Sequence, residues 1–191
     1  MKIFSYISVA AMLMLVSCGR VSRVQGENDQ LTEAQQHLQD EGWDFANPDG
    51  GELDEAYGVH PVYGIQDNYF DIVIGEGCTV AIKIVNASTD KCIRYVYVPE
   101  NETVTVSQIP QGLYYLKLAY GKGWMELKTD SMVLGKFTRG AFYERSTNSY
   151  DFGKKNSQDF VNYRLKINVV DGLVENNFHT EQITEEEFER N

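Results

Sequence analysis

Cysteine is scarce in this chain, three in 191 residues, which excludes a disulfide-dense mini-scaffold. Positive charge is scarce as well. Lys and Arg total 17 against 28 Asp and Glu, a net charge of −11, so a nucleic-acid-binding surface is not expected. No stretch reaches the roughly 20 apolar residues that cross a bilayer as a helix. Histidine is limited to His37, His60 and His179, none at metal-ligand spacing, and there is no H-x-x-x-H, C-x-x-C or EF-hand loop. No metal and no cofactor are expected. A G-x-S-x-G elbow and a P-loop are also missing, since Gly75-Glu76-Gly77 and Gly121-Lys122-Gly123 lack the Lys-Ser/Thr that a phosphate cradle needs. What is present is apolar and aromatic: 42% hydrophobic and 12% aromatic residues, enough for one folded domain with attachments.

The first eighteen residues carry the most specific signal. Lys2 supplies a positive start, and Ile3 to Val16 form an apolar run interrupted only by small or hydroxyl-bearing residues. A charged start, a short apolar stretch and small residues at its end describe a secretory signal peptide, here residues 1–17. Its end, Leu15-Val16-Ser17-Cys18, resembles a bacterial lipobox. That resemblance implies lipidation of the Cys18 sulfur, cleavage before it and acylation of the new amine. At about 0.8 kcal/mol per buried methylene, three acyl chains would hold the protein stably on a membrane. Cleavage removes Lys2 alone, taking the charge from −11 to about −12, so attachment would rest on the acyl chains and not on anionic head groups. No acidic residue follows the Cys until Glu27, unlike the acidic stretch of surface-exported lipoproteins. The periplasmic face of the outer membrane is therefore expected over the cell surface.

Residues 18–68 read as the lipidated Cys and a flexible acidic tether. Asn47-Pro48-Asp49-Gly50-Gly51 breaks any regular structure, and Thr32-Glu33-Ala34-Gln35 has capping-box spacing for a short helix running to about Glu41. That helix would offer only Ala34 and Leu38 as an apolar face.

From Tyr69 the pattern changes to period-two alternation. Val80, Ile82 and Ile84 alternate with Ala81, Lys83 and Val85; Ile93, Tyr95 and Tyr97 with Arg94, Val96 and Val98; Val161, Tyr163, Leu165, Ile167 and Val169 with polar neighbours. One face inward and one to solvent is what half-buried antiparallel strands require. Turn residues separate the runs at 87–90, 99–101 and 110–112, while Gly121-Lys122-Gly123-Trp124 reads as a loop opening. The expectation is all-β: an antiparallel β-sandwich of about seven or eight strands over residues 69–175, followed by an acidic tail, 176–191, in which Thr184-Glu185-Glu186-Glu187 caps a one-turn helix on Phe188.

Within this pattern, Glu102 to Tyr120 resembles the strand, Φ-Pro-x-Gly turn and Tyr-x-Leu strand of carboxypeptidase-regulatory-like and other transthyretin-like domains. Pro110 would fix φ there and Gly112 would take φ > 0. With the lipobox, the whole resembles an envelope lipoprotein of the Bacteroidales type. The resemblance implies a non-enzymatic, lipid-anchored module that binds another envelope protein or serves an envelope or secretion assembly.

Candidate residues are few. A hairpin turning at 87–90 would set Cys92 opposite residue 85, roughly 23 Å along the strand from Cys78 at about 3.3 Å per residue, too far for a bridge. Both thiols are expected as small buried side chains. Tyr95, Tyr97, Tyr115 and Trp124 admit two readings, a core whose hydroxyls reach the rim or an exposed contact face for protein or glycan. The second would suit a carbohydrate-binding lipoprotein stacking sugars on Trp124. Asp130-Ser131-Met132 matches the short O-glycosylation pattern of that bacterial group, marking Ser131.

Overall fold

A computed structural model describes residues 31–153, 160–170 and 173–190; Cys18 and the leader lie outside them. The alternating runs form strands as their periodicity requires. Tyr69–Ile74 (β3), Thr103–Ser107 (β6), Tyr163–Val170 (β10) and Leu173–Asn176 (β11) build a four-stranded sheet in the order β11-β10-β3-β6. In β10, Leu165 and Ile167 are buried while Arg164, Lys166 and Asn168 are exposed, the half-buried pattern read from the sequence. The β3–β10 pairing is parallel, with Leu165 beside Ile72, and β3–β6 is antiparallel.

The larger sheet has eight strands. Thr79–Asn86 (β4), Cys92–Val98 (β5), Leu113–Lys128 (β7) and Val133–Ser146 (β8) are its body. Short strands Asp44–Phe45 (β1), Gly51–Glu52 (β2), Tyr150–Asp151 (β9) and Thr180–Gln182 (β12) extend it. The architecture is thus a two-sheet β-sandwich, with eight strands of four residues or more. Cys92 pairs with Val85, as expected, and Cys78 and Cys92 are both free.

Three expectations need correction. First, the tether does not extend to residue 68. Residues 32–68 belong to the folded body: β1 pairs with β7, β2 with β5, and the Leu53 amide donates to the Tyr95 carbonyl at 2.8 Å. The Thr32 capping box forms, starting helix Glu33–Asp40 (α1), but what fixes this helix is the buried Gln35, whose Nε2 donates to Thr138 Oγ1 at 2.9 Å. Second, within the expected tail, 176–191, the described residues 176–190 are not free. β12 joins β8, and helix Glu185–Glu189 (α2), capped by Thr184, buries Phe188 almost completely. Third, Gly121-Lys122-Gly123 is no loop. β7 runs straight through it, with a register shift between Tyr120 and Lys122 absorbing the irregularity.

The Pro110–Gly112 turn forms for a different reason than expected. Gly112 is not in the left-handed region; Gln108 is, at φ 55°. A Cβ on Gly112 would press on the Tyr114 ring at 3.2–3.4 Å, so glycine is there to admit that ring. Tyr114 Oη in turn donates to the Pro110 carbonyl at 3.0 Å, and Asn68 exchanges two hydrogen bonds with Ile109.

The large sheet is covered on both faces. Between the sheets lie Phe70, Ile72, Ile82, Leu116, Leu118, Tyr120, Phe152 and Ile167. On its outer face a second core gathers Leu53, Val59, Ala81, Tyr95, Tyr97, Ala119, Trp124, Phe137 and Phe188. The face expected to meet solvent is roofed by residues from the two ends of the folded body.

Candidate functional site

The aromatic residues sort themselves by this roof. Tyr95, Tyr97 and Trp124 are 5%, 3% and 3% exposed, so they are core and form no contact face. Trp124 packs edge-on against Phe137 and Tyr97, and Gly135 is required beneath it, since a Cβ there would lie 2.2 Å from the indole. The buried Glu126 carboxylate accepts from Trp124 Nε1 at 3.0 Å and from Tyr57 Oη at 2.5 Å, tying the residue 55–57 turn to β7. Tyr115 is half-buried and donates to Asp90. A sugar-stacking platform on Trp124 is therefore excluded.

Under the same roof lie two lysines directly opposite each other, Lys83 on β4 and Lys117 on β7, 2% and 5% exposed. Like charges facing across strands repel. Here the carboxy-terminal end of α2 meets them: Lys117 Nζ donates to the carbonyls of Glu187 (2.8 Å) and Arg190 (2.6 Å), and Lys83 Nζ to that of Glu189 (3.3 Å). Carbonyl oxygens at a helix carboxy terminus carry partial negative charge and suit a cation. Lys83 also stands 3.7 Å from the Glu189 carboxylate and over the rings of Tyr95 and Phe188. Burial lowers the affinity of both ammonium groups for their proton, and neighbouring carboxylates partly restore it. Burial likewise raises the Glu189 carboxyl. These residues looked solvent-facing by alternation. The overlooked signal was the near-continuous apolar run around them, Val80–Val85 and Tyr114–Tyr120, which marks strands buried on both faces.

A third buried cation, Arg94, organises one end of the sandwich. It is fully buried, and its guanidinium donates to the carbonyls of Val62, Ile93 (2.8 Å) and Gln108 (3.4 Å). Its Nε lies 3.1 Å from Glu52 Oε2, a charge contact without an aligned hydrogen bond, and its plane covers Tyr63 at 3.9 Å. Thus pinned, the loop holds Val62, Tyr63 and Ile65 outward, 49%, 59% and 100% exposed. Beside them opens a cleft of about 610 Å³ lined by Val59, Val62, Ile93, Pro110 and Tyr114, with His60, Lys91 and Cys92 at its polar margin. Burial pushes the Cys92 thiol up to about 11 and that of Cys78 to about 12, so neither is an activated nucleophile at neutral pH.

The remaining candidates are scattered. Ser131 is exposed at the β7–β8 turn, where Thr129 Oγ1 accepts from the Met132 amide at 3.1 Å. His37 and His60 each pair with a surface glutamate. Among the described residues, no three His, Cys, Asp or Glu side chains are grouped to hold a metal ion, and no helix is long and apolar enough to cross a membrane. No family model, curated protein or solved structure matches the chain.

Proposed function

We propose that the chain is a non-enzymatic lipoprotein of the cell envelope, held by acyl chains on Cys18 at the periplasm-facing side of the outer membrane, whose β-sandwich binds another envelope protein. The observation that carries this reading is Leu15-Val16-Ser17-Cys18 at the end of a charged and then apolar leader. The binding role is supported by the Arg94-pinned loop, since an apolar patch held rigidly in water is characteristic of interaction sites. The buried ionisable groups favour it over catalysis: Lys117, Arg94 and Glu126 are each engaged in joining one element to another. The transthyretin-like resemblance of residues 102–120 adds an envelope or secretion assembly as the setting, and Ser131 as an O-glycosylated position would suit the same compartment.

The test is Cys18→Ala with fractionation and intact-mass measurement. The native chain is expected with membranes and heavier by its lipid, and the variant in the soluble fraction without it. A variant that stays with membranes, or a mature native chain of unlipidated mass, would overturn the anchor.

A further inference from the structure

β8 is fourteen residues long, but its outer edge is paired only at its carboxy-terminal end. β12 covers Glu144 to Ser146, and the Ile183 amide reaches the Tyr143 carbonyl at 3.0 Å. From Val133 to Phe142 no strand lies on that edge among the described residues, and the backbone hydrogen bonds of this stretch run only to β7. Leu134, Arg139, Gly140 and Ala141 are exposed along it. An open edge presents a row of unpaired N–H and C=O groups, a ready template for another strand.

Two features give this edge a preference. A groove of about 320 Å³ runs beside its first half, lined by Trp43, Tyr57, Tyr95 and Leu134. Its charge is opposite to that of the molecule: Lys136 and Arg139 lie on the edge itself, and Lys122 sits directly across from Arg139, in a chain of net charge −11. The groove's other wall carries Glu185 and Glu189, so carboxylates of an arriving strand belong further along, toward Arg139. Two copies of β8 paired edge to edge would bring their cations together, which disfavours self-association.

We infer that the Val133–Phe142 edge is a β-augmentation site for an extended segment of another protein, aliphatic where it passes the groove at Leu134–Lys136 and acidic further along, opposite Arg139. Backbone pairing would supply the binding, and alternate side chains the selectivity. The same cations keep basic strands off the edge. This deepens the protein-binding reading and rests on it, but uses a different surface from the Val62–Ile65 loop.

The test uses the full lipidated chain in detergent with a dye-labelled, end-capped octapeptide, Val in one half and Glu in the other, at low ionic strength. Saturable binding is expected, at least tenfold weaker for the Lys-Val octapeptide and for Lys136→Glu/Arg139→Glu. Hydrogen exchange of the native chain gives a second readout that no variant can confuse. Amides within 133–142 should exchange faster than those of β4, and slow when the Glu-Val peptide binds. Peptide binding indifferent to the charge reversal would overturn the site. So would edge amides that are unaffected by peptide, already as slow as β4, or covered in a concentration-dependent dimer. Any of these results would leave membrane anchoring through Cys18, and partner binding at the Val62–Ile65 loop, standing.

Discussion

The two faces of the large sheet are built by different means. The inner face meets the small sheet mainly through aliphatic and aromatic residues, Ile82, Leu116 and Leu118 against Ile72 and Ile167, with the buried Arg94 at one end of the sandwich. The outer face is mixed: Tyr95, Tyr97 and Phe188 share it with Lys83 and Lys117, and its cover consists of short pieces, residues 43–59 and α2. Burial of apolar area stabilises without regard to direction, whereas a buried cation needs partners in defined places. The inner face therefore holds the body together, and the outer face specifies where the ends of that body lie.

Truncating a side chain on each face separates these roles most sharply. Leu118→Ala should cost about 3–4 kcal/mol by chemical denaturation, because the sandwiched core cannot collapse around the void. Phe188→Ala removes a larger group, yet should cost only about 1–2 kcal/mol, since α2 can lift away and let the lysines hydrate. Equal losses would mean that the two faces behave as one core. Alkaline pH, the next largest effect, acts on both faces. Burial raises the Tyr97 hydroxyl to about 12 and pushes Tyr57 and Tyr95 upward on the outer side, and it raises Tyr114, Tyr120 and Tyr150 on the inner side as well. A raised folded pKa means that the unfolded chain ionises first, so the stability held below pH 10 should drain away as pH climbs above it. The Cys78 and Cys92 thiols begin the same loss just above pH 9. Midpoints of denaturant unfolding measured from pH 8 to 11 should fall over this range; a flat profile would contradict the burial of these groups. The smallest effect concerns the roof's first element. Thr32→Ala removes the side-chain cap of α1 and should cost about 1 kcal/mol, seen as faster amide exchange in α1 with β10 unchanged.

This contrast also explains which parts of the fold were legible. β10 was readable because its polar and apolar residues alternate without exception from Tyr163 to Ile167, and only a half-buried strand satisfies that pattern. The Val85–Cys92 pairing followed from turn residues alone. The roof was not readable, because its hold depends on a few residues set far apart in polar sequence: Gln35, Trp43, Leu53 and Val59. Such anchors leave no periodicity. Lys83 and Lys117 misled for a related reason: alternation assigns a lysine to solvent, and nothing local announces a helix arriving from 70 residues away for Lys117 and 106 for Lys83. Of the candidate site, Cys18 was the most specific reading, while the Arg94 hub and the open β8 edge emerge only once distant segments are brought together.

The parallel pairing of β3 with β10 has a bearing on how the molecule comes into being. Phe70 and Tyr163 are neighbours in the small sheet although about ninety residues separate them along the chain. As the chain emerges in sequence order the amino-terminal member appears first, and β6 can zip onto one flank of it soon afterwards. Its other flank must wait, bare and sticky, until almost the entire polypeptide has emerged. That interval is the period of greatest aggregation hazard for this protein and the moment at which a holding chaperone would serve it best.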